Sequence, residues 1–495
     1  MATRRRGRGG RDRGDGAGLA SPGLVDPRHP PREDHGGRSR RHSENDQRKD
    51  PQGRDPHRSG GGPDRAHRHG ERLVLIFRSE IRGTRVVEID ELVARGARGP
   101  AGRPVLFLRD AGEAEVALHS PVFDRGRLAR SFGGNGILFS DGAHWKERRR
   151  IIQPAFPPRE PDFHLQDVTW AVPGLVSRFA AAAESDESVG VVEETVRFTT
   201  RVLYRGVFGQ DLPSDHDRVG VILDFFDSIG GVLSSTIFPR LRLDGRTMAE
   251  VRRAAEAMEE EVNRLVEVRR NSDFTSDRVD ALGEIVEALD AKDDVRGIHD
   301  EVRSLLVAGA ETTSNTLGFL LLMLAGHPEV GDRLHEEIVA APDGDSPFMD
   351  AVIFETLRLF PPVWFQTREA LESIEIGETP LEKDDLVFVA TALIHRDPAI
   401  WEEPDAFRPE RFLPGPDGPW RPPHRYAFFP FGGGRHLCIG RHLAMHELQR
   451  SIRALAGRFR FEIESDVEVA AELGVVLKPA RDVRVRVFER GGDRP

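Results

Sequence analysis

Residues 298–326 contain the run LLVAGAETTSNTLGFLLLMLAG, which constrains the fold more than any other stretch of the chain. Its apolar residues cover most faces of a helix rather than one stripe. Such a helix is stable in the middle of a large core and nowhere else in water. The chain can supply that core, since 38% of its 495 residues are hydrophobic. The surrounding pattern is also helical between about 160 and 340, with a long amphipathic segment at 248–270. A further helix is expected at 111–118. Strand-like runs are sparse: 73–77, 104–108, 374–376, 386–390 and 483–488. The expected class is mainly α with a small β-sheet region, built as one domain over 71–495. About 425 residues is large for a single core, so a group filling its centre is expected.

Residues 1–70 differ in kind. They hold 17 Lys and Arg against 10 Asp and Glu, a charge of +7, and no Phe, Tyr or Trp. Taking +7 from the chain's −11 leaves −18 for the remainder. Such a segment buries too little apolar surface to offset the entropy of ordering it, so it is expected to be disordered. Three readings stand for it: a solvated tail, an Arg/Gly-rich segment touching RNA or anionic lipid, or non-native residues from a mis-called start. The negative balance of the whole argues against a chain built to grip nucleic acid. The best apolar run near the N-terminus, 19–25, is broken by Pro22 and Gly23. With no signal peptide and no membrane span expected, the expected location is cytoplasmic.

Cys438 is the single cysteine of the chain. Intramolecular disulfides and multi-cysteine metal sites are thereby excluded. It lies in FFPFGGGRHLCIGRHLAMHELQRSIRAL. The Gly/Pro-rich half of this stretch is no helix, whereas Leu443, Ala444, Leu448 and Ile452 recur at helical spacing. A thiol at a helix start gains from free amides and the positive dipole end. Gly432, Gly433 and Gly434 permit close approach of something flat. The residues alone leave three readings: a thiolate bound to a metal in a planar ring, a nucleophile with His436 or His442 as base, or a buried structural cysteine.

Three other groups stand out. Glu311, Thr312 and Thr313 interrupt the most apolar helix. A threonine hydroxyl there can bond its own i−4 carbonyl and distort the helix, while Gly309 removes bulk. The bland alternative is a packing patch with Glu311 reaching solvent. Glu355 and Arg358 share one helix face, a spacing common in solvated salt bridges. In GAHWKERRRIIQPAF, Trp145 and Arg149 are four apart, as are His144 and Arg148. Lys146, Arg148 and Arg150 would form either a basic patch for an acidic partner or a solvated face.

Together these stretches resemble the cytochromes P450, in the family's own order along the chain, from about residue 100 to 488. Phe431, Gly434, His436, Cys438 and Gly440 look like the family's haem-binding loop. The resemblance implies a soluble, bacterial-type cytochrome P450 fold carrying haem b, with the Cys438 thiolate as the iron ligand. His436 stands where the family usually has Arg; it is implied to contact a haem propionate, with Arg435 sharing the task. Trp145, Arg149 and Arg368 are implied propionate partners, with Trp145 and Arg149 preferred over His144 and Arg148. Glu355, Arg358 and Arg411 match the family's structural charge group that locks the cysteine loop. Glu311 and Thr312 match the acid–threonine pair that relays protons and holds water during O–O cleavage; Thr313 is the fallback if the register is off by one. YRGVFG at 204–209 and HRDPAIWEEPDAFRPERF at 395–412 also resemble family segments.

The implied activity is that of a monooxygenase placing one atom of dioxygen into a hydrophobic, lipid- or terpene-like compound. The expected substrate wall comprises 229–238, Leu305, Ala308, 363–365 and residues near Leu473. Gln366 and Trp364 either aim a polar substrate group or pack the core. No flavin, nicotinamide or iron–sulfur domain is legible. Electrons are expected ultimately from NAD(P)H, through a ferredoxin and its reductase or a flavodoxin-like donor. Alternatives are a haem-thiolate peroxygenase or isomerase, a non-catalytic haem-binding protein and, far behind, a cysteine hydrolase.

Overall fold

The computed structural model describes residues 105–491 except 128–129, 131–133, 213–216, 238–244, 272–278, 416–417, 419, 465–470 and 480–482. It also describes the backbone of a short strand, Val74–Leu75. At 217 and over 229–237, 245–247 and 472–473 the backbone alone is described. The expectations for residues 1–70 lie outside the described residues.

Strands β1 (Val74–Leu75) and β2 (Leu106–Leu108) precede helix α1 (Ala111–His119) and strand β3 (Phe123–Asp124). A helical stretch follows: α2 (Gly142–Ile152), α3 (Leu165–Ser185), then strand β4 (Ser188–Gly190) and α4 (Val191–Phe208). It continues with α5 (Asp217–Ile237), α6 (Gly245–Asn271), α7 (Ala281–Asp290), α8 (Val295–Gly326), α9 (Pro328–Ala340) and α10 (Pro347–Leu359). Strands β5 (Gln366–Ala370), β6 (Ile374–Ile376), β7 (Thr379–Leu381) and β8 (Leu386–Val389) come next, then the short α11 (Thr391–Ile394). Helix α12 (Arg441–Arg458) leads into β9 (Phe459–Ile463), β10 (Ala471–Leu473), β11 (Leu477–Pro479) and β12 (Arg484–Glu489). The fold is predominantly helical with small sheets, as the sequence pattern predicts.

The helix starts are written locally. Asp110 accepts hydrogen bonds from the Gly112 and Glu113 amides at 2.8 and 3.0 Å, and Asp280 and Asp294 cap α7 and α8 in the same way. Each carboxylate satisfies amide donors that the helix itself leaves open. Pro328 and Pro347 open α9 and α10, where a missing N–H does no harm. The strands are less legible. β5 is QTREA, without apolar alternation, yet it lies between β8 and β3 in the order β2-β8-β5-β3. The pairing of β2 with β8 is parallel, with Leu106 opposite Val387. Two further sheets run β1-β10-β11 and β4-β12-β9, and β6 pairs with β7. Residues 415–421 separate by their contacts from the body formed by 71–414 and 422–495; within them Gly415 and Gly418 form an isolated bridge.

Helix α8 runs through the core, with Leu305, Leu306, Ala310, Leu317, Phe319, Leu320, Leu321 and Leu322 all buried. It is long and apolar enough to cross a membrane, but 83% of its apolar window is buried inside the protein. Helix α4 packs along it closely enough that Gly309 has a reason: a Cβ there would stand 2.5 Å from Leu203 Cδ1. Phe319 stacks on Phe360 from the end of α10, with ring centroids 4.2 Å apart. Phe319→Ala opens a void where no surface is available to fill it. The expected loss is about 3–5 kcal/mol in urea unfolding, with an unchanged denaturant slope.

Candidate active site

Helix α8 stays α-helical through AGAETT. The Thr312 hydroxyl does bond its own i−4 carbonyl, donating to Ala308 O at 2.8 Å, without breaking the helix. Thr199 of α4 donates to Ala310 O at 2.8 Å, and Ser314 donates to Glu311 O at 2.9 Å. Several carbonyls of this turn therefore carry a second hydrogen bond while the ladder persists. Glu311 does not reach solvent, being 1% exposed. Thr313 faces another way, toward the buried Glu447 of α12, whose carboxyl is pushed well up by burial against the Thr313 hydrogen bond. Glu447 carried no sequence signal, because HEL within an amphipathic helix reads as a surface acid.

The Cys438 loop is shaped by its glycines. Gly434 holds φ at +62° and its Cα lies against the Leu118 carbonyl, where a Cβ would be 2.3 Å away. Gly433 is extended, but a Cβ there would overlap the Tyr426 hydroxyl at 2.2 Å. That hydroxyl accepts from the Gly434 amide at 3.1 Å and meets His119 Nε2 at 2.5 Å. The Cys438 amide donates to Phe431 O at 3.0 Å, closing the loop across the thiol. Part of Cys438 remains accessible, yet protein is dense enough around the sulfur for burial to dominate and push the thiol up. The Gly440 amide, Arg149 and Arg441 pull the other way and are outweighed. The helix-start stabilisation expected from sequence is therefore present but too small alone. A positive charge on the sulfur itself, such as a metal ion supplies, would favour the thiolate.

Around the loop gathers an excess of cations, of which Arg368 is buried, Arg125 half-buried and Arg435 the most exposed. Arg368 is 4% exposed, donates to Thr367 O at 2.7 Å, and leaves Nη2 buried without a protein acceptor. Burial, then Arg125 and Arg435, lower its guanidinium to about 9. Arg125, which the sequence did not distinguish, is lowered to about 10 by burial. Its Nε donates to His436 Nδ1 at 3.2 Å, and His436 Nε2 lies 3.1 Å from an Asp141 oxygen and 3.2 Å from Arg435 Nε. His436 is lowered to about 4, chiefly by burial, against the pull of Asp141. Arg435 is 3.2 Å from the same Asp141 and donates to Phe123 O at 2.7 Å. Burial disfavours the Asp141 charge, but the His436 hydrogen bond, the Gly142 amide and Arg435 overcome it and hold the carboxyl below the usual range. Asp141 also caps α2, and the sequence reading missed it for that reason: a capping Asp has no further signature.

Helix α2 turns Trp145 and Arg149 toward the loop. The Trp145 ring packs on His436 with centroids 4.5 Å apart, and Arg149 donates to Leu437 O at 3.2 Å. His144 and Arg148 face α8 instead. Arg148 is buried, paired with Asp294 at 2.5 Å and with Glu301 at 3.6 Å. The expected basic patch is corrected accordingly: Lys146 and Arg150 are exposed, but Arg148 is not part of it, because two acids of α8 and its cap hold it inside.

Behind the loop, Glu355 and Arg358 are 0% exposed, not a solvated pair. Arg358 donates Nε and Nη2 to the Glu355 carboxylate at 2.7 and 2.8 Å, and Nη1 to His395 O and Pro404 O at 2.9 and 2.6 Å. Arg411 Nε and the Arg408 amide complete the carboxylate at 3.0 and 2.8 Å. His395 in turn accepts the Phe429 amide on Nε2 at 3.0 Å, which ties this group to the stretch entering the Cys438 loop. On the expected substrate side, Leu305, Trp364 and Phe365 are buried, while Val363 is 38% exposed. The Trp364 N–H donates to Gly474 O at 3.1 Å, so the packing alternative describes it. Side chains of 229–238 lie outside the described residues.

The sequence signature of the cytochrome P450 family matches residues 105–485. Cyclooctatin synthase of Streptomyces melanosporofaciens is 30% identical over 367 residues, covering 70% of this chain and 78% of that protein. Cyclooctat-9-en-7-ol 5-monooxygenase of the same organism is 28% identical over 368 residues, covering 70% and 77%. A crystal structure of a cytochrome P450 (CYP102L1) shares the fold with a TM-score of 0.65 at 24% identity, over 81% of this chain and 94% of that one. The chain belongs to the cytochrome P450 family. Its general chemistry is that of a haem-thiolate monooxygenase, and many members of the family draw electrons from an external partner.

Two stability predictions follow from the buried charges. Arg358→Met leaves the Glu355 carboxylate buried without its fork and costs about 3–5 kcal/mol in urea unfolding, whereas Glu355→Gln/Arg358→Met recovers part of it. His395 is lowered from 6.5 to about 3 by burial and then by Arg358, so it stays neutral in the fold while the unfolded chain takes up a proton near 6.5. Its contribution is lost as pH falls from 6.5 toward 3, by about 1.4 kcal/mol per pH unit. His395→Gln removes that part of the slope when wild type and variant are compared by urea unfolding across the range.

Proposed function

We propose that this cytochrome P450 oxidises a hydrophobic, lipid- or terpene-like substrate with dioxygen, using electrons from separate proteins. The observation that carries the site assignment is the unbalanced charge beside the Cys438 loop. Arg125, Arg368 and Arg435 gather near one carboxylate, Asp141, and a buried guanidinium nitrogen of Arg368 has no protein acceptor. Such a cradle fits a dianionic group, as the two propionates of haem b are. Bound haem supplies the oxidising chemistry, with Cys438 as its thiolate ligand.

The chain's own residues then divide the work. Arg368, Arg435, His436, Trp145 and Arg149 would hold the propionates, and Phe431 would help line the haem site. Glu355, Arg358 and Arg411 keep the loop rigid. Thr312 donates its proton to Ala308 O, which leaves its oxygen lone pairs free to accept from a water. Glu311, buried on the same helix turn, carries protons to that water. Leu305 and Phe365 exclude bulk water from the substrate side.

The alkene-derived name of the related cyclooctat-9-en-7-ol 5-monooxygenase supports an apolar substrate. Lys146 and Arg150, beside a hollow bounded by Pro154, Pro157 and Pro158, support docking of an acidic donor such as a ferredoxin or a flavodoxin-like protein. A bacterial-type, cytoplasmic enzyme using NAD(P)H through that donor is the same proposal's cellular form.

The test is the carbon monoxide difference spectrum of the reduced, haem-loaded chain. A strongly red-shifted Soret band is expected, with its loss in Cys438→Ser. A band at the position of histidine or thiol ligation in the wild type overturns the ligand assignment. Substrate class is then read from spin-state shifts across apolar alkenes, with fatty acids as the competing class.

A further inference from the structure

Lys478 is an unusual residue for its place. It sits between Leu477 and Pro479 on β11, and its side chain is 8% exposed. The strand that carries it is held in position. The Leu477 amide donates to Pro362 O at 2.8 Å, and Pro479 lies so close to α8 that a Cβ on Gly318 would be 3.2 Å from its Cγ. A lysine buried this far needs anions. Two helices supply them. Asp227 of α5 forms an ion pair with Nζ, and Glu311 of α8 brings Oε1 to 4.0 Å from the same nitrogen. Asp227 is half-buried and Glu311 is 1% exposed. One cation therefore serves two acids on different helices.

A carboxylate in the interior favours its protonated form, and a nearby cation reverses that preference. Removing Lys478 would leave Glu311 in an apolar helix with less reason to ionise. Removing Asp227 would take away the acid that competes with Glu311 for this cation. We propose that Lys478 is a positioning residue: it holds Glu311 ionised, and through Asp227 it seats α5 against the same point. This deepens, and rests on, the reading of Glu311 as the proton carrier. It adds that the acid's charge state is set by a residue of β11 and shared with α5. The sequence reading passed over Lys478, since a single Lys in VVLKPA reads as an exposed strand residue.

The test uses the haem-loaded chain, verified by its Soret band, with two readouts that need no substrate. The first is the infrared band of Glu311 at neutral pH, assigned by difference against Glu311→Gln. The second is amide hydrogen exchange over residues 221–228. In the wild type a carboxylate band is expected. In Lys478→Met it gives way to the carbonyl band of a protonated acid, and α5 exchanges about tenfold or more faster. Because Lys478→Met takes a shared cation from two acids and could impair folding, Asp227→Asn/Lys478→Met is made beside it and should show the same protonated Glu311. Lys478→Arg should restore the carboxylate band. Asp227→Asn alone should loosen α5 yet keep Glu311 ionised. A carboxylate band that persists in both lysine-lacking variants overturns the proposal, as does unchanged α5 exchange in Lys478→Met. The underlying reading is tested apart, by the share of oxygen released as hydrogen peroxide during turnover. If Glu311→Gln raises it several-fold while the infrared band ignores Lys478, only the positioning role falls. If Glu311→Gln leaves it unchanged, the proton-carrier reading falls with it.

Discussion

A carboxylate and a guanidinium with no access to solvent form the interaction on which the site rests. Glu355 and Arg358 satisfy one another and then spend their remaining hydrogen-bonding capacity on distant backbone: His395, Pro404, Ala406 and the Arg408 amide. Buried ion pairs are weak contributors to net stability, because desolvation offsets most of the attraction. What this one supplies is register. These four backbone partners, with the Arg411 side chain, fix where the chain between residues 395 and 411 runs, and His395 passes that constraint to Phe429 and the glycine turn. A hydrophobic replacement could fill the same volume but would leave those carbonyls and the Arg408 amide unpaired.

The electrostatics of the loop run in the opposite sense. Here charge is concentrated rather than cancelled. Arg125, Arg368 and Arg435 share Asp141, and burial lowers two of the three guanidinium groups. A fold tolerates such an arrangement when an anion completes it. The thiol beside it is held up by burial despite Arg149 and Arg441. The proposed guest, with an anionic rim and a cationic centre, would relieve both features. Helix α8 shows a third form of charge management, with Lys478 divided between Asp227 and Glu311. The described interior therefore couples three elements of separate origin, β11, α5 and α8, at the acid on which proton supply is proposed to depend.

Local chemistry made much of this legible in advance. The unbroken apolar character of α8 required a large helical core, and the glycines around a lone cysteine announced a loop built for close approach. Glu355, Arg358 and Arg411 were recognisable only by resemblance to the family's motifs, as were Trp145 and Arg149; helical spacing alone left a solvated salt bridge and the His144 and Arg148 pair as equal readings. The small strands were less legible, because QTREA becomes a strand only when β8 and β3 flank it.

The identity of the residues and their local conformations were thus determined by the sequence. Which charges meet was decided by the tertiary structure. Asp141 reads as a helix cap until folding brings His436 and Arg435 to it from some three hundred residues away. Arg148 reads as a surface cation until α8 presents Asp294 and Glu301. Lys478, Asp227 and Glu311 lie on a strand and two helices with no common pattern. Electrostatic interaction depends on separation in space and on the surrounding dielectric, and neither quantity is encoded in any local stretch of chain.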